Sequence, residues 1–97
     1  MAQREAALRE VIGEYKDEQS LTASRLDALR IRRTRLELAR ELLVEHGQES
    51  EADELQTRIY EFDRQIEAST ATLSKLSGLI ATYQSTLKKV ERAGSGS

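Results

Sequence analysis

The amino-acid sequence predicts an all-α protein, a long antiparallel coiled-coil hairpin of two helices. The chain has 97 residues and no proline, and its residues are 33% charged and 38% hydrophobic. That composition is typical of long helices rather than of a compact globule. Apolar residues recur at alternating steps of three and four in both halves, and a polar break containing glycine separates the halves. We therefore expect a single helical hairpin over residues 1–93.

The first helix is predicted over residues 3–46. Its heptad positions a and d, which form the seam against the second helix, are mostly apolar. The seam residues are Leu8, Ile12, Tyr15, Gln19, Thr22, Leu26, Leu29, Arg33, Leu36, Arg40 and Leu43.

The break reads "EHGQESEADEL" and predicts a turn over residues 47–50. Gly47 suits the left-handed conformation just past a helix end, and His46 suits the last helical turn. Ser50 followed by Asp53 matches a capping box at the start of the next helix. Such a short connection forces the two helices to run antiparallel.

The second helix is predicted over residues 51–92, and residues 94–97 ("GSGS") are interpreted as a linker or tag remnant. Its seam residues are Leu55, Ile59, Phe62, Ile66, Ser69, Leu73, Leu76, Ile80, Tyr83, Leu87 and Val90. Folding the chain back at Gly47 pairs every a position with a d position, from Leu8 with Leu87 to Leu43 with Ala52. That constant register is what an antiparallel coiled coil requires.

Several seam layers contain a polar residue. These layers pair Gln19 with Leu76, Thr22 with Leu73, Leu26 with Ser69, Arg33 with Phe62 and Arg40 with Leu55. Polar seam residues often fix the register of a coiled coil at a cost in stability, and we favour that interpretation. The alternative is a hinge, or a gap that another chain fills.

The stretch "LRIRRTRLELAR" concentrates arginines near the seam. Residues 25–41 carry six arginines against three acids, a net charge of +3, and residues 49–67 carry seven acids against two arginines, a net charge of −5. We expect most of these arginines to pair within the hairpin, with Arg30 bonding Asp63 and Arg33 covering Phe62. The alternative is an anion-binding hairpin, which would hold nucleic acid or an acidic membrane through Arg25–Arg40.

A second row on the first helix faces away from the predicted seam. We call it the outer stripe, and its residues are Leu21, Ala28, Ile31, Arg35, Leu38 and Leu42. Contiguous exposed apolar surface usually marks an interaction site, although scattered surface leucines are common. We expect the outer stripe to be a protein interface, either in a homodimer that forms a four-helix bundle or with the helix of another protein.

The sequence carries no recognisable catalytic, metal or cofactor motif. It has no cysteine and one histidine, His46, which we interpret as a helix-end residue. No apolar run approaches the roughly 20 residues of a membrane span. We expect a soluble, cytoplasmic, non-enzymatic interaction module without cofactor or small-molecule substrate, and we expect it to bind neither nucleic acid nor membrane. Two origins are compatible with this expectation: a segment excised from a larger protein, and an engineered chain.

Overall fold

Two long α-helices pack against each other in a hairpin, which confirms the predicted fold class. The computed structural model describes residues 2–95, in which α1 spans Ala2–Glu45 and α2 spans Glu49–Ser95. Both helices continue through Gly13 and Gly78, because a glycine on an outward position weakens a helix without breaking it.

The turn is built by the hydrogen bonds of a Schellman motif. The Gln48 amide donates to the Leu43 carbonyl at 2.9 Å, and the Gly47 amide donates to the Val44 carbonyl at 3.1 Å. Gly47 has a φ of 72°, the left-handed conformation that the sequence predicts for it. The two amides thus satisfy carbonyls that the end of α1 would otherwise leave without partners.

The predicted capping box at Ser50 is wrong. The Gln48 carbonyl accepts a hydrogen bond from the Ala52 amide at 3.0 Å, so α2 begins at Glu49 and Ser50 already lies inside the helix. One residue, Gln48, closes α1 and opens α2, which makes the turn shorter than predicted. Glu49 and Glu51 lie in the first turn of α2, where their negative charge interacts favourably with the positive end of the helix dipole.

The far end of α2 also differs from the prediction. The helix continues through Ser95, three residues past the predicted end at residue 92, so Gly94 and Ser95 are helical. Gly96 and Ser97 lie outside the described residues, as does Met1. The interpretation of residues 94–97 as a linker or tag remnant stays a prediction.

The described chain divides into two compact units, and the first combines residues 2–22 with residues 72–95. Ile12, Leu76 and Ile80 form its buried apolar core. The rings of Tyr15 and Tyr83 pack beside this core with centroids 5.7 Å apart. At the surface of this unit, the Arg9 guanidinium donates to a Glu91 carboxylate oxygen at 2.9 Å and thereby joins α1 to α2.

The second unit comprises residues 23–71 and includes the turn. Leu26, Ala52, Ile59 and Phe62 are its buried apolar residues. Ile59 is only 2% exposed, and full burial of such a side chain contributes roughly 1.5–3 kcal/mol. The seam that the heptad pattern predicts is therefore the core of this unit.

Most polar seam layers are accommodated locally within each unit, and the exception is Arg40, whose buried Nε has no hydrogen-bond partner within residues 2–95. In the first unit, the Gln19 side-chain amide donates to the Ser77 hydroxyl at 2.8 Å, and Thr22 is buried. In the second unit, Ser69 is half-buried and the seam residues Arg33 and Arg40 keep part of their surface exposed. The hinge interpretation of these layers stays a prediction.

Candidate functional site: an aliphatic row beside an arginine pocket

The outer stripe of α1 is exposed to solvent in the second unit. Ile31, Leu38 and Leu42 are 54%, 60% and 56% exposed, and together we call them the aliphatic row. Ala28 and Arg35 on the same face are exposed as well. Buried seam positions of α1 use its opposite side, so the row lacks cover within the second unit.

Five further large apolar residues of the described chain are exposed outside the row, and the least exposed of them, Val11 and Val90, belong to the first unit. Leu21, the remaining member of the outer stripe, belongs to the first unit and is 51% exposed. Val44 and Tyr60 belong to the second unit, and heptad reasoning did not select either of them as a site residue. Tyr60 lies at position b of α2. Because position b points away from the seam, the heptad pattern was enough to predict that Tyr60 is exposed.

One arginine of the second unit is neutralised by acids from both helices. The Arg33 guanidinium is hydrogen-bonded through Nε to Asp63 of α2, and its Nη1 donates to Glu37 of α1 at 2.6 Å. The hydrogen bond to Asp63 is the main reason why the pKa of Arg33 is raised above its ordinary value. We call Arg33, Glu37 and Asp63 the paired flank.

The predicted partners of two arginines are wrong. Asp63 bonds Arg33 rather than Arg30, because the half-buried seam position of Arg33 brings its guanidinium directly onto this carboxylate. The ring of Phe62 is covered by Arg32 rather than by Arg33, with the Arg32 Cζ 5.4 Å from the ring centroid. Arg33 is held by two carboxylates, which leaves the aromatic face to its neighbour at position g.

The expectation that most arginines pair within the hairpin is also wrong. Within residues 2–95, Arg33 forms the only ion pairs made by the six arginines between residues 25 and 40. The reason is heptad position. Most acids of α2 in this unit lie at the outward positions b and c, such as Asp53, Glu54 and Glu61, where they point away from α1.

Arginines from both helices line a small pocket next to the aliphatic row. The pocket measures about 160 Å³, and we call it the arginine pocket. Its lining residues are Arg32, Arg35, Leu36, Arg58 and Phe62. No acid lines it, and none of its three guanidinium groups forms an ion pair within the described chain.

Sequence reasoning missed the contribution of Arg58 to this site. Arg58 lies at position g of α2, and positions g of two antiparallel helices border the same side of the seam. The heptad pattern alone was therefore enough to place Arg58 beside Arg32. Arg58 was overlooked because residues 49–67 carry a net negative charge and were treated as an acidic segment.

A wider groove continues along the same side of the second unit. It measures about 470 Å³ and shares Arg32 with the arginine pocket. Its lining residues are Arg25, Ala28, Leu29, Arg32, Gln65, Ala68 and Ser69. This side of the second unit is therefore basic over more than one helical turn of α1.

Two kinds of feature are absent from residues 2–95. No three histidine, cysteine, aspartate or glutamate residues there are arranged to hold a metal ion. Neither helix, over the same residues, contains a segment apolar enough to cross a bilayer. His46, the single histidine, lies in the turn just after α1.

Comparisons of this chain with protein-family models, with curated proteins and with solved structures give no significant match.

Proposed function

We propose that this protein is a non-enzymatic interaction module, a helical hairpin that oligomerises or docks a partner helix through the aliphatic row. The observation that carries the proposal is the exposure of Ile31, Leu38 and Leu42, each by more than half, on one face of α1. Spacings of seven and four residues align these side chains along the helix, which is how one helix binds another. Monomeric proteins seldom leave such a row uncovered.

Two kinds of partner fit this proposal. A second copy would place two aliphatic rows together and produce a four-helix assembly with twofold symmetry. A helix of another protein would fill the same row with its own apolar side chains. A soluble, cytoplasmic location is part of the proposal, and the high proportion of charged residues supports its solubility.

Anion binding through the arginines is the second candidate function. The arginine pocket favours it, since three unpaired guanidinium groups border one cavity. Binding to nucleic acid or to an acidic membrane would weaken steeply as salt is raised, whereas an apolar contact would change little. Titration of a single-stranded oligonucleotide and of anionic vesicles at two salt concentrations separates this candidate from helix docking.

The proposal is tested with the triple variant Ile31→Gln, Leu38→Gln, Leu42→Gln. Glutamine is a good helix former, so the variant removes the apolar row and leaves the charge and the helix in place. Sedimentation equilibrium then shows whether the wild-type chain self-associates through the row, and fluorescence anisotropy shows whether it binds labelled amphipathic helical peptides. The triple variant should lose whichever association the wild-type chain shows.

Two results would contradict helix docking. The first is a wild-type monomer that binds no amphipathic peptide. The second is an association that persists unchanged in the triple variant, since another surface would then be responsible. Circular dichroism shows whether the triple variant keeps its helix content, so that a lost association is not the result of unfolding.

A further inference from the structure

Arg35 lies inside the aliphatic row, and this position constrains what can cover the row. It follows Ile31 by four residues and precedes Leu38 by three, so a helix that contacts both must pass over Arg35. The α1 residues at ion-pair spacing from Arg35 are Ile31, Arg32, Leu38 and Ala39, none of which is acidic. The hairpin itself therefore supplies no counter-charge for Arg35 from its own helix.

Covering an unpaired guanidinium with apolar side chains is unfavourable, because the charge loses its hydration without gaining a partner. The same argument applies to Arg32 and Arg58, which border the same pocket. Glu54 and Glu61 lie at ion-pair spacing from Arg58 on α2, yet neither is paired with it and neither lines the pocket. An occupant of the row must bring negative charge to this point.

The chemistry of the arginine pocket indicates which negative group fits. Its volume of about 160 Å³ suits a single carboxylate side chain. Leu36 and Phe62 provide an apolar wall for the methylene groups of that side chain, and guanidinium groups bind carboxylates through paired hydrogen bonds. A glutamate or aspartate from the docked helix would satisfy the pocket.

A second copy of this chain is a less favourable source of that carboxylate than an acidic helix. If two aliphatic rows pair in parallel and in register, Arg35 of one copy faces Arg35 of the other. If the rows pair antiparallel, the g flanks of the two α1 helices meet, and that flank carries Arg25, Arg32 and Ala39. The other flank of the row, position b, carries Asp27 and Glu41, and a parallel second copy would bring Asp27 toward Arg32 at the edge of the row. The centre of the row would still join Arg35 to Arg35, which electrostatic complementarity disfavours.

We infer that the occupant of the aliphatic row is an acidic amphipathic helix of another protein, which places a carboxylate in the arginine pocket. This inference rests on the proposed docking function and names its partner class. The partner helix carries an apolar row that matches Ile31, Leu38 and Leu42, with glutamate or aspartate beside that row where it crosses Arg35. The apolar contacts provide affinity, and the carboxylate selects this partner over neutral helices.

Two labelled helical peptides test the inference. They share one row of leucines and differ only at the positions beside that row, which are glutamate in the acidic peptide and glutamine in the neutral peptide. Fluorescence anisotropy at low salt should show that the full hairpin binds the acidic peptide at least about tenfold more tightly, since a hydrogen bond to a charged group contributes roughly 1.5–3 kcal/mol. Raising the salt should narrow the difference.

Matched arginine variants locate the charge contact. Arg35→Gln should weaken binding of the acidic peptide about tenfold and should not weaken binding of the neutral peptide, which no longer has to cover an unpaired charge. Arg64→Gln is the control, because Arg64 is an exposed arginine at the outward position f of α2 and does not line the pocket. It should leave both affinities unchanged.

The outcomes separate the inference from the proposed function. Equal affinity for both peptides, lost in the Ile31→Gln, Leu38→Gln, Leu42→Gln variant, would overturn the acidic partner and keep the docking function. A wild-type dimer that dissociates in this variant would also overturn the acidic partner and keep the docking function, because the occupant of the row would then be a second copy. Binding of an oligonucleotide or of anionic vesicles that depends on Arg35 but not on the row would overturn both.

Discussion

Arg32 and Arg33 are neighbours in the chain, yet they belong to opposite sides of the second unit with opposite electrostatic character. Arg33 enters the paired flank, where Asp63 and Glu37 neutralise it. Arg32 enters the arginine pocket, where two other arginines are its charged neighbours and the Phe62 ring lies beneath its guanidinium. The comparison teaches that heptad position, and not the charge of a segment, decides whether an arginine is used for folding or left for a partner.

The largest expected effect concerns the seam on which both sides depend. Ile59→Ala removes a side chain that is almost fully buried in the second unit, and we expect it to lower the free energy of unfolding by about 3 kcal/mol. Leu38→Ala in the exposed row is the control and should cost less than about 0.5 kcal/mol. Urea unfolding followed by circular dichroism measures both. Equal losses would mean that the row is already covered in the free protein.

The second prediction breaks the paired flank. Asp63→Asn keeps the shape of the side chain but removes the charge that holds Arg33, so the unfolding midpoint should fall by less than in Ile59→Ala. The fall should shrink at high salt, because an ion pair is then screened in the wild-type protein. Glu61→Gln, which removes an acid at an outward position of α2, should leave the midpoint unchanged. A larger effect of Glu61→Gln would reverse the assignment of the two acids.

The third prediction probes the other side of the comparison. Arg32→Gln removes the cation–π contact with Phe62, and we expect a loss of about 0.5 kcal/mol in the free energy of unfolding. Arg30→Gln is the matched control, because Arg30 is exposed and forms no ion pair within residues 2–95. If the two variants were equally stable, the Arg32 guanidinium would not rest on the ring in solution.

The smallest expected effect on stability concerns the ionisation of Tyr15 in the first unit. Tyr83 raises the pKa of Tyr15 above its ordinary 10.0, chiefly because two neighbouring phenolates would repel, and burial adds to the shift. Folding therefore favours the protonated form of Tyr15. This stabilisation is fully present below pH 10.0 and is lost as the pH rises through the raised pKa.

Tyr15→Phe should accordingly flatten the fall in unfolding midpoint between roughly pH 9 and pH 11. Thermal unfolding at several pH values, with tyrosinate absorbance as the second readout, checks this expectation. An identical pH dependence in wild type and variant would assign the fall to other groups.

The hairpin was predictable because its determinants are local and periodic. The sequence predicts the heptad seam from Leu8 to Leu43 and the left-handed conformation of Gly47, and the structure confirms both. The outward exposure of Ile31, Leu38 and Leu42 followed from the same periodicity. The helix start at Glu49 did not, because the first helical hydrogen bond, from the Ala52 amide to the Gln48 carbonyl, already forms before the predicted cap at Ser50.

The arginine partners were not predictable from charge totals. Long side chains choose among several neighbours within reach, and the choice depends on angles that a linear count ignores. Arg33 has Asp63 and Glu37 within reach, whereas Arg32 and Arg35 border a pocket that no acid lines. Arg58 is the exception, because the heptad positions of the two helices, taken together, were enough to place it beside Arg32.

The arginine Nε–H resonances of the full hairpin test the central claim most directly, recorded by heteronuclear NMR before and after addition of the acidic helical peptide. In the free protein, the Arg33 Nε–H should exchange slowly with solvent because Asp63 accepts its hydrogen bond, while those of Arg32, Arg35 and Arg58 exchange rapidly. The peptide should shift and protect these three and leave Arg33 and Arg64 unchanged. Protection of all four in the free protein, or a peptide response confined to Arg33 or Arg64, would contradict the division between a side used for folding and a side open to a partner.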